Sequence, residues 1–198
     1  MKFDLKTRDF INIGIFAVIY FLLVYLSGMI GFFGPWFMFV GFTIAIILNG
    51  IVIVLFLIRT PKMGAMTLLG FIHALLFVIA GQVWYLLVIV PVLGFIADLI
   101  IHIGVENNEL KRSRLSIAYA LFSLWYNVPL FPVIYNAEAY YDEIRPMMRD
   151  DYVNSMQAIL TGPFLATWAV TIFILGLIGG WLGILTAKKH FQPAGLAS

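Results

Sequence analysis

Six runs of mostly apolar residues dominate this sequence, at residues 10–30, 36–58, 63–80, 84–103, 117–135 and 159–187. Each approaches the roughly 20 residues that an α-helix needs to cross hydrocarbon. Inside lipid every backbone amide and carbonyl must be satisfied within the protein, which leaves helices as the structure for such runs. Composition points the same way. Of 198 residues, 63% are hydrophobic and 11% charged, against roughly 45–50% and about 25% in soluble domains. Too little polar surface remains to coat a water-soluble globule. That excludes a soluble enzyme, a disordered chain and a nucleic-acid-binding protein. The expected fold class is an all-α membrane protein, one domain over residues 1–198, forming a six-transmembrane-helix bundle.

The placement of charge sets the expected orientation. Lys2, Lys6 and Arg8 precede the first run, and Arg59 and Lys62 follow the second. Lys111, Arg112 and Arg114 follow the fourth, and Lys188 and Lys189 follow the sixth. With six spans, these ten of the twelve basic residues fall on one side, which the positive-inside rule makes the cytoplasm. Both termini are then cytoplasmic, in a multi-pass membrane protein. The opening MKFDLKTRDF mixes Asp4 and Asp9 with its bases, and no small-residue cleavage site closes the run that follows. The first run is therefore expected to stay as a span. On the outer side, residues 136–158 form a long acidic connection. Pro146 is expected to start a short helix there, with Met148, Tyr152 and Met156 on one face. Such a segment reads equally as a lid over the bundle mouth or as an interfacial helix.

The chemistry is sparse. There is no cysteine, no G-x-x-x-x-G-K-[ST] and no H-E-x-x-H, so thiolate metal sites, P-loop ATP hydrolysis and a zincin-type centre are not expected. Nothing in the spacing of Ser123 and His73 supports a nucleophilic pair. No enzyme activity, cofactor or metal site is expected. Asp98 is the lone carboxylate within a span, and His102 lies one turn on. The pair is read as a structural polar clamp to another helix, with Asn49 or Asn12 as partners, ahead of the alternative that Asp98 binds substrate directly. His73 sits nearer mid-span, as either a packing residue or a site residue. Gly176 and Gly180, with Gly179 and Gly183, make two overlapping G-x-x-x-G spacings. These suit close packing inside the monomer or a flat face for a partner.

Aromatics and prolines gather at the expected outer ends of the spans. An aromatic belt accounts for part of this, but not for Pro129 and Pro132, which interrupt the fifth run. Broken backbone at membrane depth is tolerated where it is buried in protein or lines a cavity. An outward-opening pocket is expected from Trp36, His73, Trp84, Trp125, Tyr126, Asn127, Tyr140 and Trp168. Its aromatic walls suit a ring-containing small molecule, such as a vitamin or precursor, or a porphyrin with His73 as axial ligand.

Several segments together carry a resemblance. They are Asp9-Phe10-Ile11-Asn12-Ile13-Gly14-Ile15-Phe16-Ala17, Ala97-Asp98-Leu99-Ile100, Phe122-Ser123-Leu124-Trp125 with Pro129 and Pro132, and Lys188-Lys189-His190-Phe191 with Ala194-Gly195. In this order and at this length the chain resembles a substrate-binding S component of an energy-coupling factor (ECF) transporter, of the Trep_Strep group. The resemblance implies six helices, a binding pocket near the outer surface and no ATPase in the chain itself. It also implies docking on a transmembrane T component driven by two ATP-binding subunits, and toppling in the bilayer to deliver the ligand. The family's first helix commonly docks through Ala-x-x-x-Ala. Here Gly14 and Ala17 are three apart and Val18 follows, so Gly14 and Ala17 are the docking candidates. The competing expectation is an autonomous secondary transporter, coupled through Asp98 or His73.

Overall fold

The computed structural model describes residues 5–103 and 112–190. Lys2, Lys111, Phe191, Ala194 and Gly195 lie outside the described residues. Among those described, the regular structure is entirely helical. Helix α1 spans Thr7–Gly28 and continues as a 3-10 turn over Met29–Phe33, and α2 spans Pro35–Arg59. The shorter α3 (Ala65–Ile79) and α4 (Leu86–His102) follow. Next come α5 (Arg112–Phe122), a 3-10 segment over Ser123–Leu130, and the single turn α6 (Pro132–Tyr135). Two short helices, α7 (Ala137–Ile144) and α8 (Asp150–Ile159), lead into the long α9 (Gly162–His190).

Three of these stretches, Thr7–Phe33, Pro35–Arg59 and Gly162–Lys189, are long and apolar enough to cross a membrane. α3 and α4 are apolar but shorter. The sequence places these five runs to within a few residues. The fifth expected run, 117–135, departs: α5 stops at Phe122 and gives way to the tighter helix. Proline explains the break, because Pro129 has no amide to continue the ladder. Pro132 instead opens the next turn, at a position where the missing amide costs nothing.

Close backbone approaches fix how the helices run. Gly41 of α2 lies against the Ser27 carbonyl of α1, and Asn49 reaches the Tyr20 carbonyl, so α1 and α2 are antiparallel. Gly94 against Met66 and Gly70 against Val90 set α3 and α4 antiparallel. The two glycine stripes of α9 then divide their work. Gly176 and Gly180 face Ala120 and Ser116 of α5, while Gly179 and Gly183 face Ile46, Ile47, Gly50 and Val54 of α2. A Cβ on Gly50 would stand 2.2 Å from the Gly179 carbonyl carbon. Small residues here allow backbone-to-backbone packing. Both stripes are therefore consumed inside the monomer, and neither offers a flat face to a partner.

The first helix treats its two docking candidates differently. Ala17 is fully buried (0% exposed) in line with Ile13, Tyr20 and Val24, whereas nothing stands within 4 Å of where a Cβ on Gly14 would be. The two residues share no exposed face. The reason is angular: three residues along a helix still leave a rotation of about 60° between their directions.

The acidic connection is also built otherwise than expected. Pro146 lies in the turn between α7 and α8, and α8 begins at Asp150 with Asp150 and Asp151 in its first turn. Carboxylates there complement the exposed amides and the positive end of the helix dipole. Val153, Met156 and Ile159 form the buried face, while Met148 stays outside the helix. The hydroxyl of Tyr152 donates to the Gly31 carbonyl at 3.0 Å, tying α8 to the turn after α1.

Candidate ligand-binding site

Mid-bundle, α1, α2, α3 and the 3-10 segment bring together polar side chains that the sequence scatters over a hundred positions. Trp125 donates its indole N–H to the Tyr20 hydroxyl at 2.9 Å. His73 is wholly buried (0% exposed), with its ring 4.5 Å from Trp125, 4.6 Å from Tyr20 and 4.8 Å from Phe77 between centroids. Tyr126 stacks 4.4 Å from Trp125 and meets Phe42 at 5.4 Å. Asn49 donates to the Tyr20 carbonyl at 3.4 Å.

The hydrogen-bond inventory of this cluster does not close. Both ring nitrogens of His73, the Asn49 side-chain oxygen and the Tyr126 hydroxyl are buried without a partner. The Tyr126 hydroxyl is within electrostatic reach of Tyr20 and Asn49 but makes no aligned bond. A neutral imidazole carries one donor and one acceptor. Each orphaned polar group costs about 1–3 kcal/mol of desolvation, so four at one place are a concentrated liability. Partial satisfaction of a buried network is the arrangement that an incoming polar molecule improves most.

A second set of candidates lies toward the α7–α8 end. Asn127 donates to the Leu165 carbonyl at 3.3 Å, leaving its own oxygen unpaired, and the Trp168 indole N–H is likewise buried and unpaired. Trp168 packs edge-on to Phe39 at 4.9 Å. Tyr140 stacks beside Tyr141 at 5.3 Å, and burial with neighbouring phenols and Glu143 pushes its hydroxyl up to about 12. A separate groove of about 470 Å³ opens between the turn after α1 and the start of α8, and Asn127, Tyr140 and Trp168 do not line it. Phe32, Phe33, Met147, Met148, Arg149 and Tyr152 are among the side chains lining it. Arg149 pairs with Asp151 across its rim and holds that carboxyl below the usual range.

Trp36 and Trp84 do not join the His73 cluster and are 61% and 71% exposed, although Trp36 meets Phe39 at 6.4 Å and Phe164 at 5.9 Å and so flanks the Trp168 set. Aromatic side chains at helix ends fit a headgroup-level belt, and their position at the start of a run cannot distinguish belt from pocket. Tyr20 and Phe77, by contrast, carry no local pattern that singles them out in the sequence, and Asn49 stands there only as a candidate clamp partner. Tyr20 offers one weak signal, a phenol near the middle of its run, which Tyr25 shares.

Asp98 proves to be a cap. Its two carboxylate oxygens accept from the Met66 amide (3.1 Å), the Thr67 amide (2.9 Å) and the Thr67 hydroxyl (2.7 Å). These amides are orphans of the first turn of α3. Because α3 starts straight after the left-handed Gly64 (φ 89°), no side chain preceding it supplies an acceptor, and α4 supplies it from across the interface. The expected side-chain pairing with His102 is absent. The His102 ring meets the Asp98 backbone carbonyl instead, at 2.9 Å. The Ser123 hydroxyl is bound to the Tyr119 carbonyl at 2.8 Å.

Comparison with curated proteins returned no match, and neither did comparison with solved structures. One family model does match, over residues 7–192, and its description is of a hypothetical bacterial integral membrane protein. With nearly the whole chain covered, this protein belongs to the Trep_Strep family of bacterial integral membrane proteins.

Proposed function

We propose that this chain is the substrate-binding S component of an ECF-type importer. It captures a small ring-containing organic compound, vitamin-like in size, at the outer face and hands it to a T component powered by two ATP-binding subunits. Six segments cross the bilayer in this reading, with both termini cytoplasmic, and the chain performs no catalysis. The observation that carries it is the His73–Trp125–Tyr126–Tyr20–Asn49 cluster. A receptor without chemistry of its own needs a buried, aromatic-walled site with a few unsatisfied polar groups, and the cluster has that composition. The sequence also lacks a P-loop, in keeping with a chain that borrows its power.

The rival reading, an autonomous secondary carrier, requires a titrating group free to couple an ion. Both Asp98 oxygens are already engaged by the start of α3, which removes the best candidate. The test is expression of the tagged full chain in a bacterial host, followed by affinity purification and uptake into proteoliposomes. Co-purification with a T component and two ATPases, and uptake that needs ATP, are expected. Uphill uptake by the isolated chain without ATP would overturn the reading.

A further inference from the structure

We propose that the mid-bundle cluster accepts an uncharged, planar heterocycle bearing an N–H and a carbonyl side by side, as in a lactam or carboxamide. This rests on the binding reading above and narrows its ligand class.

The argument from charge comes first. The segments that build the cluster, residues 10–58, 63–97 and 115–137, contain no Asp, Glu, Lys or Arg. Asp98 is directed at Met66 and Thr67 rather than at His73. An ionised ligand group would therefore be buried with no counter-charge, at a cost of several kcal/mol even after relaxation. A neutral group avoids that cost.

Hydrogen bonding supplies the second constraint. One His73 nitrogen needs an acceptor and the other needs a donor, the Asn49 oxygen needs a donor, and the Tyr126 hydroxyl takes either. A pure acceptor leaves the second His73 nitrogen and the Asn49 oxygen unsatisfied, and a pure donor leaves the His73 N–H unsatisfied. An amide edge serves both kinds at once.

The rings supply the third. Trp125, Tyr126, Tyr20 and Phe77 surround His73 at 4.5 to 4.8 Å or stack directly on those that do. The contacts to His73 are edge-on or tilted, at 58° to 85° between planes, and a ring-containing guest can make the same edge-to-face contacts. Because these rings touch the imidazole directly, a guest reaches the nitrogens when Trp125 and Tyr126 withdraw. Both stand on the Ser123–Leu130 3-10 segment. Its poorer hydrogen-bond geometry makes it the cheapest backbone in the site to shift, and such stretches often serve as hinges.

The test uses the full chain in lipid nanodiscs and two ring-matched pairs: nicotinamide against nicotinate, and indole-3-carboxamide against indole-3-carboxylate. Affinity is read from ligand-detected NMR and tryptophan fluorescence. Each neutral amide is expected to bind about 100-fold more tightly than its carboxylate, the penalty of an unpaired buried charge. His73→Leu is expected to weaken amide binding about tenfold or more, and His73→Gln, which keeps a donor and an acceptor, to retain most of it. Carboxylates binding as tightly as the amides, no binding by any of the four, or indifference to His73→Leu overturns the inference. Co-purification with the T component and ATPases judges the broader function separately, so the two can fail independently.

Discussion

Two buried polar regions of this bundle invite comparison: the Asp98 cap at the start of α3 and the His73 cluster one to two turns further along the same helix. At the cap, three donors meet two carboxylate oxygens at 2.7 to 3.1 Å. At the cluster, four buried polar atoms make no aligned hydrogen bond. Both look alike in sequence, as single polar letters in apolar runs. The difference is in satisfaction. A closed inventory stabilises the fold, whereas an open one stores free energy that a guest can release.

Substitutions break or sharpen that contrast. The largest effect is expected at the cap: Asp98→Ala strands the Met66 and Thr67 donors and should destabilise the protein by about 3 kcal/mol, measured by reversible unfolding in mixed micelles. Asp98→Asn, which keeps one acceptor, should lose less. A loss below about 1 kcal/mol for the alanine variant contradicts the capping role. Trp125→Phe comes next. It removes the donor to Tyr20 and leaves a small void, and about 2 kcal/mol of stability should go with them. The site changes sign at His73→Leu. Replacing two unpaired nitrogens with aliphatic carbon should raise stability by about 1 kcal/mol while ligand binding falls. A destabilised leucine variant would show that His73 is an ordinary satisfied core residue. Smallest is Lys62→Met, which cuts the 2.8 Å bridge to Asp9. Both side chains keep some solvent contact, so less than about 1 kcal/mol is expected, and less again in high salt.

The sequence revealed these features unevenly. Helix positions in α1, α2, α3, α4 and α9 followed from the lengths of the apolar runs, since a lipid-spanning helix has no other way to satisfy its backbone. The rotation of each helix did not. In a soluble protein the polar face marks the outside, but lipid is as apolar as the core, so α1 exposes Ile11, Ile15 and Leu22 while burying Ile13 and Val24. Without that cue Ala17 reads as surface, and Trp36 and Trp84 read as pocket. Small residues fared in between. The stripes of α9 were visible as spacing, yet only the fold shows that Gly176 and Gly180 serve α5 while Gly179 and Gly183 serve α2. The site was legible in Trp125, Tyr126 and His73, each conspicuous locally. Tyr20 and Asn49 join them through tertiary contacts with partners up to 105 positions away, which no local pattern encodes.

The Asp98 cap also bears on how the chain is made. α3 has 15 residues and α4 has 17, joined by a tight turn containing Gly81 at φ 94°. The first turn of α3 therefore stays without its protein acceptor until residue 98 has been synthesised. The two helices complete one another as a hairpin, and a nascent chain halted between them should carry a third helix whose start is uncapped.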